Sequence, residues 1–269
     1  MRIIIIYHRN CNDGFAAALA AWMVYGDSAE YIPAQYGEPP PDVLNANVFI
    51  LDFSYPRAVL EKMYVDANNL VVLDHHKTAE QDLMGLQYAI FDNTKSGAVL
   101  AWEHFHPHSD MPLLFKVVQD RDLWKFEYCY TKAISLVLRD VIDRDFNTWY
   151  TLMDNVNLMS LQTTGDAMLK TFAAEVKVLS DFGAPVTLMG KQGLSVNCNV
   201  KYNSDVGHEL AKQSGTYGVT YIYAGINKRW LYSLRSVGDY DVSVIAKHYG
   251  GGGHKNAAAF TSETFYPQL

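Results

Sequence analysis

Residues 2–7 read Arg-Ile-Ile-Ile-Ile-Tyr, a continuous β-branched run that leads into His8. Such a run suits a strand of a parallel sheet, which is covered on both faces and needs no polar alternation. Two further runs repeat the theme: Val48-Phe49-Ile50-Leu51 closes on Asp52, and Leu70-Val71-Val72-Leu73 closes on Asp74-His75-His76. Segments of helical character lie between them. Residues 15–25 are rich in Ala, which predicts a buried helix. Pro56 suits the first turn of a helix reaching about Ala67, and 96–105 reads as helix. Shorter apolar stretches at 30–33 and 87–91 add two candidate strands, while the three prolines at 39–41 mark a loop. Strands alternating with helices predict an α/β fold with a doubly wound parallel sheet.

From Pro112 to Asp181 the pattern is helical, with a long helix expected over 165–181. Gly183 and Pro185 then break it. This places a domain boundary there, with 1–182 as the first domain, including a helical linker, and 183–269 as a smaller α/β domain. In the second part strands are expected at 187–189, 193–198, 218–225 and 229–236, and helices at 205–214 and 241–249, before a run of four glycines.

The chain of 269 residues is 49% apolar and 19% charged, a globular composition. Its formal net charge of −7 argues against a surface that grips long duplex nucleic acid. A short phosphorylated substrate remains compatible, because a few local cations and a metal can hold it. No apolar run spans a bilayer and no secretory signal opens the chain, so a cytoplasmic protein without membrane partners is expected. Cys11, Cys129 and Cys198 are scattered, with no CxxC spacing, so any metal should be held mainly by His and Asp.

Four places carry such residues: the turn His8-Arg9-Asn10-Cys11-Asn12-Asp13-Gly14, Asp52, Asp74-His75-His76, and Asp120-Arg121-Asp122. In an open α/β sheet, ligands bind outside the carboxyl ends of the strands, so the three strand-end groups should converge. Carboxylates and neutral imidazoles suit Mn²⁺, and Mg²⁺ where oxygen dominates. Two ions could be bridged by Asp52 and would polarise a phosphoryl group. A lone Asp after a strand is usually a cap or turn former. Three strand ends with this chemistry make that explanation the weaker one.

At these residues the sequence resembles the DHH family of phosphoesterases. Asp74-His75-His76 is its signature triplet, residues 8–14 resemble its first motif, Asp52 its second and 120–122 its fourth. Ser233-Leu234-Arg235-Ser236, Asp241-Val242-Ser243 and Gly250-Gly251-Gly252-Gly253-His254 resemble the associated substrate-binding domain. The resemblance implies an active-site cleft between two domains. It implies metal ligation by His8, Asp13, Asp52, His75 and Asp120, with Asp122 as the alternative to Asp120. His76 would lie nearer the substrate as a catalytic residue, together with Arg235 and His254. Arg235, Ser236, Gly251, Gly252, Gly253 and His254 would bind the substrate phosphate, the glycines forming an anion nest. The sequence departs from the family's first motif at Cys11, where an Asp is common. A thiol is a soft ligand, so one of the two metal positions is expected to be weaker or differently occupied.

The expected activity is hydrolysis of short oligonucleotides or dinucleotides by metal-activated water, as in an oligoribonuclease acting on very short RNA. The alternatives are a cyclic-dinucleotide phosphodiesterase, a 3′-phosphoadenosine 5′-phosphate phosphatase, or a nucleotide-binding module without catalysis. The expected partners are a short oligonucleotide or nucleotide substrate and, as an allowed state, a second copy in a homodimer.

Overall fold

The computed structural model describes residues 2–266, and these form two compact units that meet between Leu169 and Lys170 in the chain. The division falls inside a long helix, whose C-terminal end is the boundary the sequence suggests.

In the first unit, β1 (Ile3–His8), α1 (Asn12–Tyr25), β2 (Glu30–Ala34), β3 (Asn47–Leu51), α2 (Arg57–Asp66), β4 (Asn69–Asp74), α3 (Lys77–Leu83), β5 (Ala89–Phe91) and α4 (Gly97–Phe105) alternate as expected. The five strands form one parallel sheet in the order β2-β1-β3-β4-β5. Successive residues of β1 serve opposite layers. Ile4 and Ile6 pack with Val48, Ile50, Leu60 of α2 and Leu83 of α3. Ile5 packs on the other face with the Ala-rich α1 and with Ala98 and Ala101 of α4. Both layers are buried, which is why β1 can be isoleucine throughout.

The strand order reverses about β1: the chain leaves β1 toward β2 on one side, then returns to β3 on the other. Such a switch point opens a crevice at the strands' carboxyl ends. The helices α5 (Leu113–Asp122), α6 (Thr131–Asp140) and α7 (Phe146–Thr151) add to the α1 layer, through Phe115, Ile134 and Trp149. The helix α8 (Asn155–Asp181) begins ten residues before the 165 expected from the sequence, through 155–164, a polar stretch with weaker periodicity.

The second unit contains β6 (Ala184–Leu188), β7 (Lys191–Asn197), α9 (Asn203–Ser214), β8 (Tyr217–Ala224), β9 (Arg229–Ser236), α10 (Ser243–His248), β10 (Gly252–His254) and β11 (Ala257–Ser262). They form a six-stranded sheet, β10-β11-β9-β8-β7-β6, antiparallel except for the β7–β8 pair joined by α9. The first strand of this unit starts at Ala184, within the stretch the sequence reading treats as a break. Val186 and Leu188 carry it into a core with Tyr217, Leu234 and Ile245.

The glycine run differs from expectation. Gly252 and Gly253 are strand, paired with Ala259 and Ala258 of β11. Gly253 has φ of +138°, and a Cβ there would stand 2.5 Å from the Ala257 carbonyl oxygen. The amides of Gly250 and Gly251 donate to the carbonyls of Lys247 (3.1 Å) and Ala246 (2.8 Å), closing the end of α10. The glycines are therefore explained by backbone packing and helix termination, and the two amides at the bend are not available as an anion nest.

Candidate metal centre

Register builds this site. Tyr7 pairs with Leu51 and Leu51 with Leu73, so the residues that follow, His8, Asp52 and Asp74, lie side by side at the carboxyl ends of three neighbouring strands. The chain bends sharply at the middle one: Asp52 has φ of +54°, in the left-handed region that a non-glycine residue occupies at a cost. Its amide is held by the Leu73 carbonyl at 2.9 Å. The bend directs an almost fully buried carboxylate, 1% exposed, between two imidazoles. Nε2 of His75 is 3.1 Å from its Oδ1, and Nδ1 of His8 is 3.4 Å from its Oδ2.

Asp13 reaches the same point from the first turn of α1. Its two carboxylate oxygens accept from the amides of Gly97 (2.6 Å) and Ala98 (3.0 Å), and Oδ2 also lies 3.6 Å from His75 Nε2. Asp13 thus caps the start of α4 while facing the site, a role read from no sequence motif. Gly97 is required by this approach: a Cβ there would fall 2.3 Å from the Cβ of Asp52. Asp122, part exposed at the end of α5, places Oδ2 3.6 Å from His75 Nε2.

Within the first unit the result is two trios of potential ligands, His8–Asp52–His76 and Asp13–His75–Asp122, with the donor atoms of each within 4.8 Å of one another. Asp52 contacts an imidazole of each trio. Of the residues expected here, His8, Asp13, Asp52, His75, His76 and Asp122 come together. Cys11, at the N-cap of α1, stands near enough to feel them: burial, then the charges of Asp52, Asp122 and Asp13, push its thiol well above its usual range.

Asp120 is not among them, which corrects the first choice for the fourth motif. Its carboxylate accepts from the amides of Glu127 (2.8 Å) and Tyr128 (3.2 Å) and from Thr131 Oγ1 (2.5 Å). It is a buried staple for the loop between α5 and α6, where Trp124 and Phe126 both have positive φ. Helix positions two apart point in nearly opposite directions, so only one of the two carboxylates can face the sheet.

Two contributors lack a ligand role in the sequence reading. Asp74, fully buried, accepts from Ser54 Oγ (2.6 Å), from the His75 amide (2.7 Å) and from His76 Nδ1 (2.7 Å). It therefore fixes both histidines, and it leaves Nε2 as the nitrogen His76 presents for chemistry. The triplet itself was the signal for Asp74; Ser54 had none.

The charges are in conflict. Burial opposes the charge on His75, yet its bond to Asp52 and the charges of Asp122 and Asp13 raise its pKa well above the usual imidazole range. Burial and the neighbouring Asp122 and Asp52 charges raise Asp13 well above the carboxylate range. Asp52 is lowered: burial acts against it, but the nearby imidazoles of His75 and His8 prevail. Oδ2 of Asp52 is buried and accepts no hydrogen bond among the described residues. A buried, unsatisfied carboxylate oxygen among like charges fits a divalent cation, and the oxygen and imidazole donors fit Mn²⁺ or Mg²⁺.

In the second unit, Arg235 donates to Ser204 Oγ at the start of α9 (2.8 Å) and to the Leu234 carbonyl (2.8 Å). Ser236 is buried, donating to the Tyr240 carbonyl (2.6 Å) and accepting from Asn256 Nδ2 (2.9 Å). That engagement corrects its assignment as a phosphate ligand. His254 ends β10 opposite Ala257.

No family model matches the chain. A protein of Acanthamoeba polyphaga mimivirus, itself uncharacterised, is 30% identical over 280 residues; the match covers 95% of this chain and 66% of that protein, so the chain spans less than two thirds of its relative. Among solved structures, an exopolyphosphatase-related protein from Bacteroides fragilis aligns with a TM-score of 0.51 at 13% identity, over 100% of this chain and 88% of that one. RecJ from Thermus thermophilus, in complex with Mn²⁺, aligns with a TM-score of 0.51 at 14% identity, over 96% of this chain and 49% of that one. At these identities the likeness is one of fold: an α/β chain with a parallel five-stranded sheet and a second, mixed sheet.

Proposed function

We propose that the chain is a metal-dependent phosphoesterase of the DHH family that hydrolyses the phosphodiester bond of dinucleotides or very short oligonucleotides. The observation that carries this reading is the buried Asp52, held in a strained bend between His8 and His75 with one oxygen unsatisfied. Support also comes from the triplet Asp74-His75-His76 and from the fold shared with the RecJ bound to Mn²⁺ and with the exopolyphosphatase-related protein.

His8, Asp13, Asp52, His75 and Asp122 would hold the cations, with Asp52 between the two trios. When bound, such ions lower the pKa of water and neutralise charge on a phosphoryl group. The remaining work falls to the chain. Asp74 orients His76 through Nδ1, so that Nε2 can give or take a proton at the substrate. The hydrogen bonds of Asp13 to α4 lock its carboxylate in place before any ligand arrives, which is the preorganisation such catalysis needs. Arg235 and His254 are proposed to contact substrate phosphate, on the strength of their motif positions. A substrate of a few nucleotides suits the acidic balance of the chain.

The test is a Mn²⁺-dependent assay over a panel from dinucleotides to long oligomers, with products identified. Mononucleotides released from the shortest substrates are the expected result. Release of inorganic phosphate alone would mark a monoesterase, and no turnover alongside nucleotide binding in chelator would mark a binding module.

A further inference from the structure

One aromatic side chain near the site is absorbed by none of these roles. Tyr36 lies on the loop after β2. Its ring centroid is 5.8 Å from that of His8 and 6.1 Å from that of His76, edge-on to both, and 4.7 Å from that of Phe53. It packs against one imidazole from each of the β1 and β4 ends, on either side of β3, yet the residue is 51% exposed. Among the described residues its hydroxyl has no hydrogen-bond partner. Its apolar body packs on the site while its hydroxyl, with no such partner, is free to meet a ligand.

The backbone holds it there. The Glu38 amide donates to the Gln35 carbonyl at 3.1 Å, closing a turn with Tyr36 second and Gly37 third, and Gly37 has φ of +90°. That is the pattern of a type II turn, in which the third position favours glycine. Arg9 then clamps the turn from outside. Its guanidinium makes a two-pronged contact with Glu38, 2.8 Å at each oxygen, and also donates to the Pro33 carbonyl at 3.2 Å. Paired forks of this kind fix geometry as well as charge. Arg9 is the next residue after His8, so the turn that carries Tyr36 is tied directly to the strand end that carries a candidate ligand.

We infer that Tyr36 is a substrate-positioning residue of this site, its hydroxyl donating to a non-bridging oxygen of the bound phosphoester while its ring walls the two histidines from solvent. The inference rests on the phosphoesterase reading. Arg9 and Glu38 act through it, by holding the turn.

The experiment compares wild type, Tyr36→Phe and Glu38→Gln in Mn²⁺-dependent hydrolysis of a dinucleotide, with kcat and KM separated, and measures Mn²⁺ affinity of each by calorimetry. Tyr36→Phe removes one hydroxyl and keeps the ring. It is expected to raise KM about tenfold, as loss of a hydrogen bond to a charged group should, with Mn²⁺ affinity unchanged. Glu38→Gln is expected to shift KM in the same direction by less. An unchanged KM in Tyr36→Phe overturns the inference, and so does weakened Mn²⁺ affinity, which would make Tyr36 a support for His8. If wild type itself neither binds Mn²⁺ nor turns over, the phosphoesterase reading fails and this inference with it; turnover in wild type with an indifferent Tyr36→Phe sinks the inference alone.

Discussion

The strand ends of the first unit and the glycine run of the second make similar claims in sequence: each is a cluster of residue types that bind phosphate or metal. The structure treats them differently. At the strand ends, three acidic side chains and three imidazoles crowd together at a strained backbone position, and a buried oxygen is left without a hydrogen-bond partner among the described residues. At the glycine run, the amides at the bend close a helix and the next residues join a sheet. The difference is whether local forces account for the residues. Helix termination and close strand pairing give these glycines a backbone role. Capping of α4 and the Asp52–His75 pair account for part of the strand-end cluster, but they do not explain why Asp13, Asp52 and Asp122 gather around one imidazole, where burial and like charges push Asp13 and Asp122 toward the neutral form. An unexplained cost, more than a motif, marks a binding site.

The comparison breaks most directly at Asp52. Asp52→Ala should reduce Mn²⁺-dependent hydrolysis by on the order of a thousandfold or more, because it removes the carboxylate that contacts an imidazole of each trio. The metal-free variant should stay folded but lose some stability at neutral pH, since the ionised carboxylate pairs with His75 and His8. Full activity in the variant, or a collapse of the apo fold, would show Asp52 to be a structural residue.

The fourth motif sharpens it. Asp120→Ala should cost roughly 1–3 kcal/mol of stability, by orphaning the amides and hydroxyl that its carboxylate serves, and leave Mn²⁺ affinity intact. Asp122→Ala should do the reverse, weakening Mn²⁺ with little change in unfolding. Calorimetric titration and denaturant unfolding of the pair decide between them, and exchanged phenotypes would return Asp120 to the site.

This pair also shows how far the sequence could be read. The parallel sheet was legible because isoleucine and valine runs without alternation have few other uses, and once the strands were placed, the convergence of His8, Asp52 and His75 followed from where parallel strands end. Asp120 and Asp122 were beyond that reasoning. They sit on a helix, where two positions apart means opposite directions, and the choice between them depends on the loop from Leu123 to Tyr130, whose positive-φ aromatics no periodicity announces. Asp13 as a cap on α4 was equally hidden, because its partners at Gly97 and Ala98 are remote in sequence. The glycine run misled for the complementary reason: glycine serves anion nests, edge strands and helix ends alike, and only the packed neighbours of Gly253 tell which.

The titration of the site gives a third, smaller effect. Asp13 and His75 are both raised in the folded protein. A raised group contributes stability that is complete below its unfolded pKa and is lost as pH climbs through the folded value. The metal-free protein should therefore weaken as pH rises above the ordinary carboxylate range for Asp13 and, for His75, above the ordinary imidazole range. Asp52, which is lowered, works in the opposite sense and only in acid, where its contribution falls away below the ordinary carboxylate range. A cation needs Asp13 ionised and His75 neutral, so binding should release protons and tighten with pH, by up to about 1.4 kcal/mol per unit for each proton released. The rise in Tm on adding Mn²⁺ should be larger near pH 8 than near pH 6; an equal or smaller rise would mean that these two groups do not face the ion.

The smallest effect tests the other side of the comparison. Gly250 has φ of +79° and open space where a Cβ would stand, so Gly250→Ala meets no clash and carries only the strain of a left-handed backbone. That should cost about 1 kcal/mol of stability in the second unit. Its amide already donates to the Lys247 carbonyl, so substrate affinity should not change. A nest would respond the other way: its amides must turn toward an anion, and an added methyl group that disturbed them would raise KM while leaving unfolding untouched. Measuring KM and the unfolding midpoint on the same variant therefore separates a glycine kept for the chain's own geometry from one kept for a ligand.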